Sequence, residues 1–447
     1  MRSGILLTLL LLAVVPLWAQ TDSQSNDEEE ATTNSSIMIA PPPVSGQAYP
    51  AEVGAERRSN YVDGGLTVGG GYLRNLYVGG ATGVADEGSL SIRPDISLDE
   101  ATSRQHLRMK YSPSFNFYEP ASSLNATDQS FDANYLFHPM PHVTISADNN
   151  FQKASVLYNS SSFTGRVSPS PPPLIAGAVP VLAHWTGNTV QAVLNWQYAR
   201  SAMTGVSGSL AMMRFSNPSD VTGLFNSDSR GGSGFWALQL SERQYVGTVY
   251  QFFDILARPS NPQTETQTHT FYAFYTRYLT RRFSASVSAG PQHYRVNQSS
   301  GQLVQAWSPA VMASLGWQSP HTSLSISYDR TVTGGGGLLG AYHEYGANAS
   351  ARWQMTRTWT ASLIGGYASN KSVFSGVPAT SPFFNTDGHM ASGGLSVQHW
   401  LTEHIALEGE YDRIHQSYGS IPAIAKAPDS DRATVSVAWR FTQLLGR

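Results

Sequence analysis

The sequence predicts an all-β chain: a transmembrane, up-and-down antiparallel β-barrel of about eighteen strands, with sixteen as the alternative. Three observations carry this. From Tyr61 to the end, segments alternate apolar and polar residues with period two, as strands with two unlike faces do. The connections between them are tight and long in turn. Only 13% of residues are charged and 11% are aromatic, a balance suited to a surface that meets lipid as well as water.

The chain of 447 residues begins with Arg2 and the apolar run "ILLTLLLLAVVP" (5–16), and "LWA" offers a cleavage point after Ala19. Residues 1–19 therefore read as a secretory signal peptide. No later run of about 18 apolar residues follows, so helical membrane spans are not expected. Cysteine is absent, which excludes disulfides, thiolate metal sites and a cysteine nucleophile. Five acids fall in "TDSQSNDEEE" (21–30), the remainder is near neutral, and nothing suggests a nucleic-acid partner. Residues 20–60 are acidic and then proline-rich ("APPPV", 40–44). They read as a disordered periplasmic spacer or, alternatively, as a plug entering a barrel from below.

Residues 61–447 form the barrel. Its strands are expected near 61–77, 86–98, 103–118, 127–138, 141–153, 187–199, 203–216, 231–241 and 244–257. The rest follow near 266–278, 281–296, 305–318, 321–332, 341–354, 357–370, 387–400, 403–416 and 430–443. In "LRMKYSPSFNF" (107–117), Leu107, Met109, Tyr111, Phe115 and Phe117 share one face, with Arg108, Lys110 and Asn116 on the other. "FSASVSAG" (283–290), "TSLSISYD" (322–329) and "IALEGEYD" (405–412) repeat the pattern, whereas "THTFYAFYTRY" (268–278) is aromatic on both faces. Residues 61–77 and 231–257 are Gly-rich or poorly patterned, which leaves sixteen strands open. An even count puts both termini on the short-turn side. Aromatics gather at strand ends (Trp307 and Trp317, Trp359 and Tyr367), where rings favour the lipid–water borders.

With the signal peptide, the turns "YLTRRF" (278–283), "QMTRTW" (354–359) and "HWLTEHI" (399–405), and the last strand "ATVSVAWRF" (433–441), the chain resembles Gram-negative outer-membrane β-barrels, porins among them. That resemblance implies an outer-membrane location with periplasmic termini, short periplasmic turns and long extracellular loops. It implies contact with outer-membrane lipid and lipopolysaccharide, and a C-terminal signal for the barrel-assembly machinery. Val437, Trp439 and Phe441 match that signal, and "TQLLGR" (442–447) departs from it. "GGGYLRNLY" (69–77) and "YSPSFNFYEP" (111–120) resemble barrels that accompany exopolysaccharide production, which would add polysaccharide-export components as partners.

The polar face supplies the candidate site. Arg93, Asp95, Arg108, Lys110, Asp132 and Asp148 should line the lumen from early strands, and Glu344, Arg352, Glu408, Glu410 and Asp412 from late ones. Either they pair and brace the interior, or their mixed signs form a wall that handles neutral or zwitterionic solutes. The long connection 154–186 matches by position the loop that narrows porins. Arg166, Pro171, Leu174, Ile175 and His184 are its constriction candidates, though an external packing of this apolar, proline-rich loop is equally open. "TGGGGLLG" (333–340) reads as an external loop tip.

No cofactor or metal site and no enzyme is expected. There is no G-x-S-x-G motif, His293 and His399 have no specific serine context, and Pro139 and Pro141 keep His138 and His142 off a helix. The expected function is a channel for small polar solutes or for saccharide or exopolysaccharide export. The alternatives are a structural or surface-interaction barrel closed by its own loops and, further off, an outer-membrane lipid hydrolase.

Overall fold

The structure, a computed structural model, describes Met38, Pro41, Pro43 and residues 60–77, 84–119, 125–155, 184–216, 226–258, 264–280, 282–298, 303–334, 341–373, 387–418 and 429–445. The expected signal peptide and nearly all of the 20–60 extension lie outside the described residues.

Eighteen strands run in chain order. They are β1 (Tyr61–Tyr77), β2 (Val84–Ala101), β3 (Gln105–Glu119), β4 (Ala126–Met140), β5 (Val143–Ala154), β6 (Trp185–Ala199), β7 (Ala202–Phe215), β8 (Asn226–Ser241) and β9 (Gln244–Arg258). They continue as β10 (Thr264–Thr280), β11 (Phe283–Gln298), β12 (Leu303–Gln318), β13 (Thr322–Thr333), β14 (Tyr342–Gln354), β15 (Trp359–Ser372), β16 (Gly388–Trp400), β17 (Ile405–Tyr418) and β18 (Asp429–Leu444). Each pairs antiparallel with its neighbours in sequence, and β18 pairs with β1, so the sheet closes without an edge. The sixteen-strand alternative is excluded: the poorly patterned 61–77 and 231–257 are full members of the sheet as β1, β8 and β9.

β8 starts at Asn226, five residues before its expected start at 231. Apolar alternation fails there because the outward side chains are charged. Asp228 pairs with Arg214 and, at 3.0 Å, with Arg258, and Arg230 holds Asp254 at 2.6 Å. Strand lengths of 12 to 18 residues exceed the roughly 9–11 needed to cross a bilayer, so such strand ends stand clear of the hydrocarbon.

Closure and alternation fix the two faces. Outward positions are apolar and exposed, as at Leu66, Ile96, Leu210, Val287, Ile326 and Val435. Rings border this band. At the long-loop end, Tyr250, His269, His293 and Trp307 follow one another around the barrel, with Tyr250 Oη 2.8 Å from His269 Nδ1. At the short-turn end, Trp236 Nε1 donates to Tyr198 Oη at 2.7 Å, and Trp359 stacks on His399 with centroids 4.1 Å apart. The doubly aromatic "THTFYAFYTRY" resolves by parity: Phe271 and Tyr275 face out, while Tyr272, Phe274 and Tyr278 face in.

The closing seam matches Leu66 with Trp439 and Val68 with Val437, and Phe441 stands opposite Gly64. "TQLLGR" is accounted for in part: Thr442, Gln443 and Leu444 continue β18 against Asp63, Val62 and Tyr61. Asn60, at φ 66°, ties this corner, accepting from Leu445 N–H at 2.7 Å and from Ala101 N–H at 2.9 Å. Asn tolerates that left-handed conformation better than most residues. A Cβ at Gly64 would fall on the Phe441 ring. Gly64→Val should therefore displace that ring and cost about 1–3 kcal/mol, read as a lower melting temperature of the compact band on unheated gels. A melting temperature unchanged from the parent would contradict this seam packing.

Candidate functional site: the barrel lumen

The inward face divides into two walls. On β2–β5 and β14–β18 it is charged and hydrogen-bonded. Asp99 on β2 is almost fully buried and takes His106 at 2.8 Å and Arg108 at 3.1 Å, both from β3. Lys110 stands opposite Asp132, which accepts from Asn150, and Asp148 accepts from Asn134. Asn116 donates to Asp128 at 2.8 Å. Asp95 lies over Gly65, and Arg93 stands opposite Thr67 at mid-strand. Across the seam, Arg432 on β18 binds Asp412 at 2.7 Å and Glu410 at 3.0 Å. Glu408 accepts from Gln398 at 2.7 Å and lies 3.8 Å from Arg440. Arg352 stands opposite Ser323 and Ser362, and Glu344 is buried opposite Thr331.

All eleven charged candidates therefore occupy inward register positions. The structure gathers Arg108 with Asp99, and Glu410 with Asp412, into ion clusters, and leaves Arg93 and Arg352 exposed within the barrel. The partners Asp99, His106 and Arg432 were not singled out from sequence, whereas Arg440 was expected to point inward or into the periplasm at the rim. Counting by twos along the inward parity, from Asp95 to Asp99, from Arg108 to His106 and from Ser436 to Arg432, would have found the first three.

The second wall, on β7–β12, is apolar at the short-turn half: Met203, Phe235, Tyr245, Tyr272, Phe274 and Met312 point inward. Small hydroxyls fill the positions between, with Ser207 against Ser233 at 2.7 Å and Thr276 against Ser286 at 2.8 Å.

At the long-loop half, the β13–β14 ribbon leaves the wall. The β12–β13 ladder stops at Val311 and Arg330, while the β11–β12 ladder runs on to Asn297 and Leu303. Beyond that point the ribbon crosses the inner face of β12. Gln292 on β11 seizes its backbone from both sides: Val332 N–H donates to Gln292 Oε1 at 2.7 Å, and Gln292 Nε2 donates to Val332 C=O at 3.1 Å. Val332 and Ala341 pack on Tyr294 and Val296, and His343 meets Tyr294 edge-on at 5.8 Å. Gly334 reaches β9, where an added Cβ would lie 2.7 Å from Ile255 Cγ2, closer than any side chain allows.

Of "TGGGGLLG", read as an external loop tip, residues 335–340 lie outside the described residues, and only its start is placed, on the inner side. Its first glycine lies inside the barrel, because only a residue without a Cβ can lie on Ile255. Of the 154–186 connection, Arg166, Pro171, Leu174 and Ile175 lie outside the described residues. His184 is described at its end, exposed, with its C=O accepting from Ser216 N–H at 2.8 Å. His293 and His399 lie on the outer face, against Trp307 and Trp359. His138 lies two residues before the end of β4, its Nδ1 3.1 Å from Thr144 Oγ1.

No protein-family model matches the chain, and no curated protein matches it. Among solved structures it is similar to Pseudomonas aeruginosa OccK2 (OpdF), at 10% identity and TM-score 0.41, covering 87% of this chain and 100% of that one. It is similar to P. aeruginosa OpdQ at 9% identity and TM-score 0.42, covering 86% and 98% of the two chains. The FrpB iron transporter of Neisseria meningitidis gives 9% identity and TM-score 0.41, covering 86% and 82%. At these values the likenesses carry no functional weight.

Proposed function

We propose that the chain is an outer-membrane channel through which small polar solutes, saccharides among them, diffuse passively. One observation carries this reading: Arg108 keeps 56% of its side chain exposed although it faces the inside of a closed barrel. Arg93 and Arg352 are likewise exposed on that face. Water therefore reaches the charged wall, and its interleaved signs favour solutes without strong net charge. Outer-membrane lipid and lipopolysaccharide surround the barrel in this reading. The exposed Arg214, Arg230 and Arg258 at the long-loop end suit anionic headgroups. Both termini are periplasmic, and Val437, Trp439 and Phe441 present the strand that the assembly machinery takes up.

Proteoliposome swelling tests the reading. Liposomes holding the folded barrel, intact or without residues 21–60, should swell in small neutral saccharides and zwitterionic amino acids. No swelling with either chain would overturn the channel. It would leave the competing reading, a barrel closed by its own β13–β14 ribbon. Export of an exopolysaccharide, together with polysaccharide-export components, is the finer reading, supported by the resemblance of 69–77 and 111–120. Unchanged extracellular polysaccharide after deletion of the gene would remove it.

A further inference from the structure

The apolar half of the lumen is not left to water. Met38, from the segment ahead of the barrel, is buried in it. Its side chain belongs to one cluster with Met203, Phe235, Ala237, Tyr245, Val249 and Phe274. Its backbone N–H donates to Gln197 Oε1 at 2.9 Å, and Gln197 Nε2 in turn donates to Arg200 C=O at 3.2 Å. Pro41 is buried as well, and Pro43 is half-buried. All the wall residues project inward from β6–β12 within the short-turn half, the end at which β1 begins. An unbranched thioether against aromatic rings is a favourable and adaptable contact. Prolines lower the entropy that a docked segment must surrender. "IMIAPPPV" (37–44) is the apolar run of an otherwise polar extension, and the cradle that receives its Met38 is the apolar patch of an otherwise polar lumen.

We propose that Met38, with Pro41 and Pro43 after it, acts as a resident plug, and that the cradle on β6–β12 is the site built to hold Met38. Met38 is the anchor side chain and Gln197 the group that satisfies its amide. The channel is then narrowed at two levels, by the β13–β14 ribbon at the long-loop half and by Met38 at the short-turn half. The ribbon is part of the ladder, whereas the plug can withdraw without breaking a strand pair. The gating consequence rests on the channel reading; the docking does not.

Two measurements separate them. In planar bilayers, Met38→Asp and deletion of residues 37–44 should each raise the conducting fraction several-fold over the intact chain. Heat-modifiable gels confirm that the barrels are folded, and Met38 lies in no strand. Three conducting chains with identical traces would overturn the plug and leave the channel standing. Three silent chains would overturn the channel and the gating. Docking is then decided by a cysteine pair in this cysteine-free chain: Met38→Cys with Met203→Cys should form a disulfide on mild oxidation, and Met38→Cys with Arg352→Cys should not. Failure of the first pair in folded barrels would overturn the docking itself.

Discussion

Arg432→Met should destabilise the barrel more than any other single substitution of a charged lumen residue, by about 3–5 kcal/mol. The guanidinium is the shared partner of Asp412 and Glu410, with Nη2 at 2.7 Å and 3.0 Å from their oxygens and Nε at 3.1 Å from Asp412. The Asp412 side chain is only 4% exposed and that of Arg432 11%, so water cannot take over when the guanidinium goes. Removing one member leaves a buried carboxylate beside a second one. Replacing both Arg432 and Asp412 by apolar residues of similar size removes that penalty. Arg432→Met should therefore lower the urea midpoint sharply, and Arg432→Met with Asp412→Leu should recover most of the loss. A single variant as stable as the parent would show that the cluster is open to water and braces nothing.

Gln292→Ala should loosen the β13–β14 ribbon and widen the passage. One side chain holds both the N–H and the C=O of Val332, and it is buried among Tyr294, Val296 and the ribbon. Truncation leaves two buried backbone groups without these partners, at about 1–3 kcal/mol each. What remains is the packing of Val332 and Ala341 on Tyr294 and Val296, with His343 edge-on to Tyr294 and Gly334 against Ile255, a set of small apolar contacts. The strand ladder of β10–β12 is untouched, so the barrel itself should stay folded. Larger and noisier conductance steps are expected, together with admission of larger saccharides in swelling assays. A parent-like conductance with a parent-like size limit would show that the ribbon does not set the passage. Gln292→Glu is the informative neighbour: it keeps the acceptor for Val332 N–H but loses the donor to its C=O, so an intermediate conductance is expected.

The barrel was legible because period two is a direct consequence of a sheet with lipid on one side and water on the other. "TSLSISYD" and "IALEGEYD" state which side chains face lipid without reference to any partner strand. The inward charges followed from the same parity, but their pairings did not. Whether Arg432 meets Glu410, Asp412 or neither depends on the register between β17 and β18, which is set by turn geometry and not by alternation. Asp99 and His106 were passed over for a related reason: they flank a tight turn, where polar residues draw no notice.

The inward ribbon was hidden more deeply. "TSLSISYDRTVT" keeps its alternation as far as Tyr328, with Arg330 the one break before Val332, and alternation is the same for a ribbon in the wall and for one lying across it. The available signals were Gly334, which permits close approach to another strand, and a glutamine at 292 among the inward serines of β11. Met38 gave a further signal, as an apolar run in an extension with no core of its own.

Single-channel recording in planar bilayers tests the central claim most directly, using the folded chain freed of residues 37–44 beside its Gln292→Ala derivative. A hydrated lumen narrowed by the β13–β14 ribbon predicts discrete, reproducible conductance steps in the first and larger ones in the second. Folded barrels that stay electrically silent in both would contradict it.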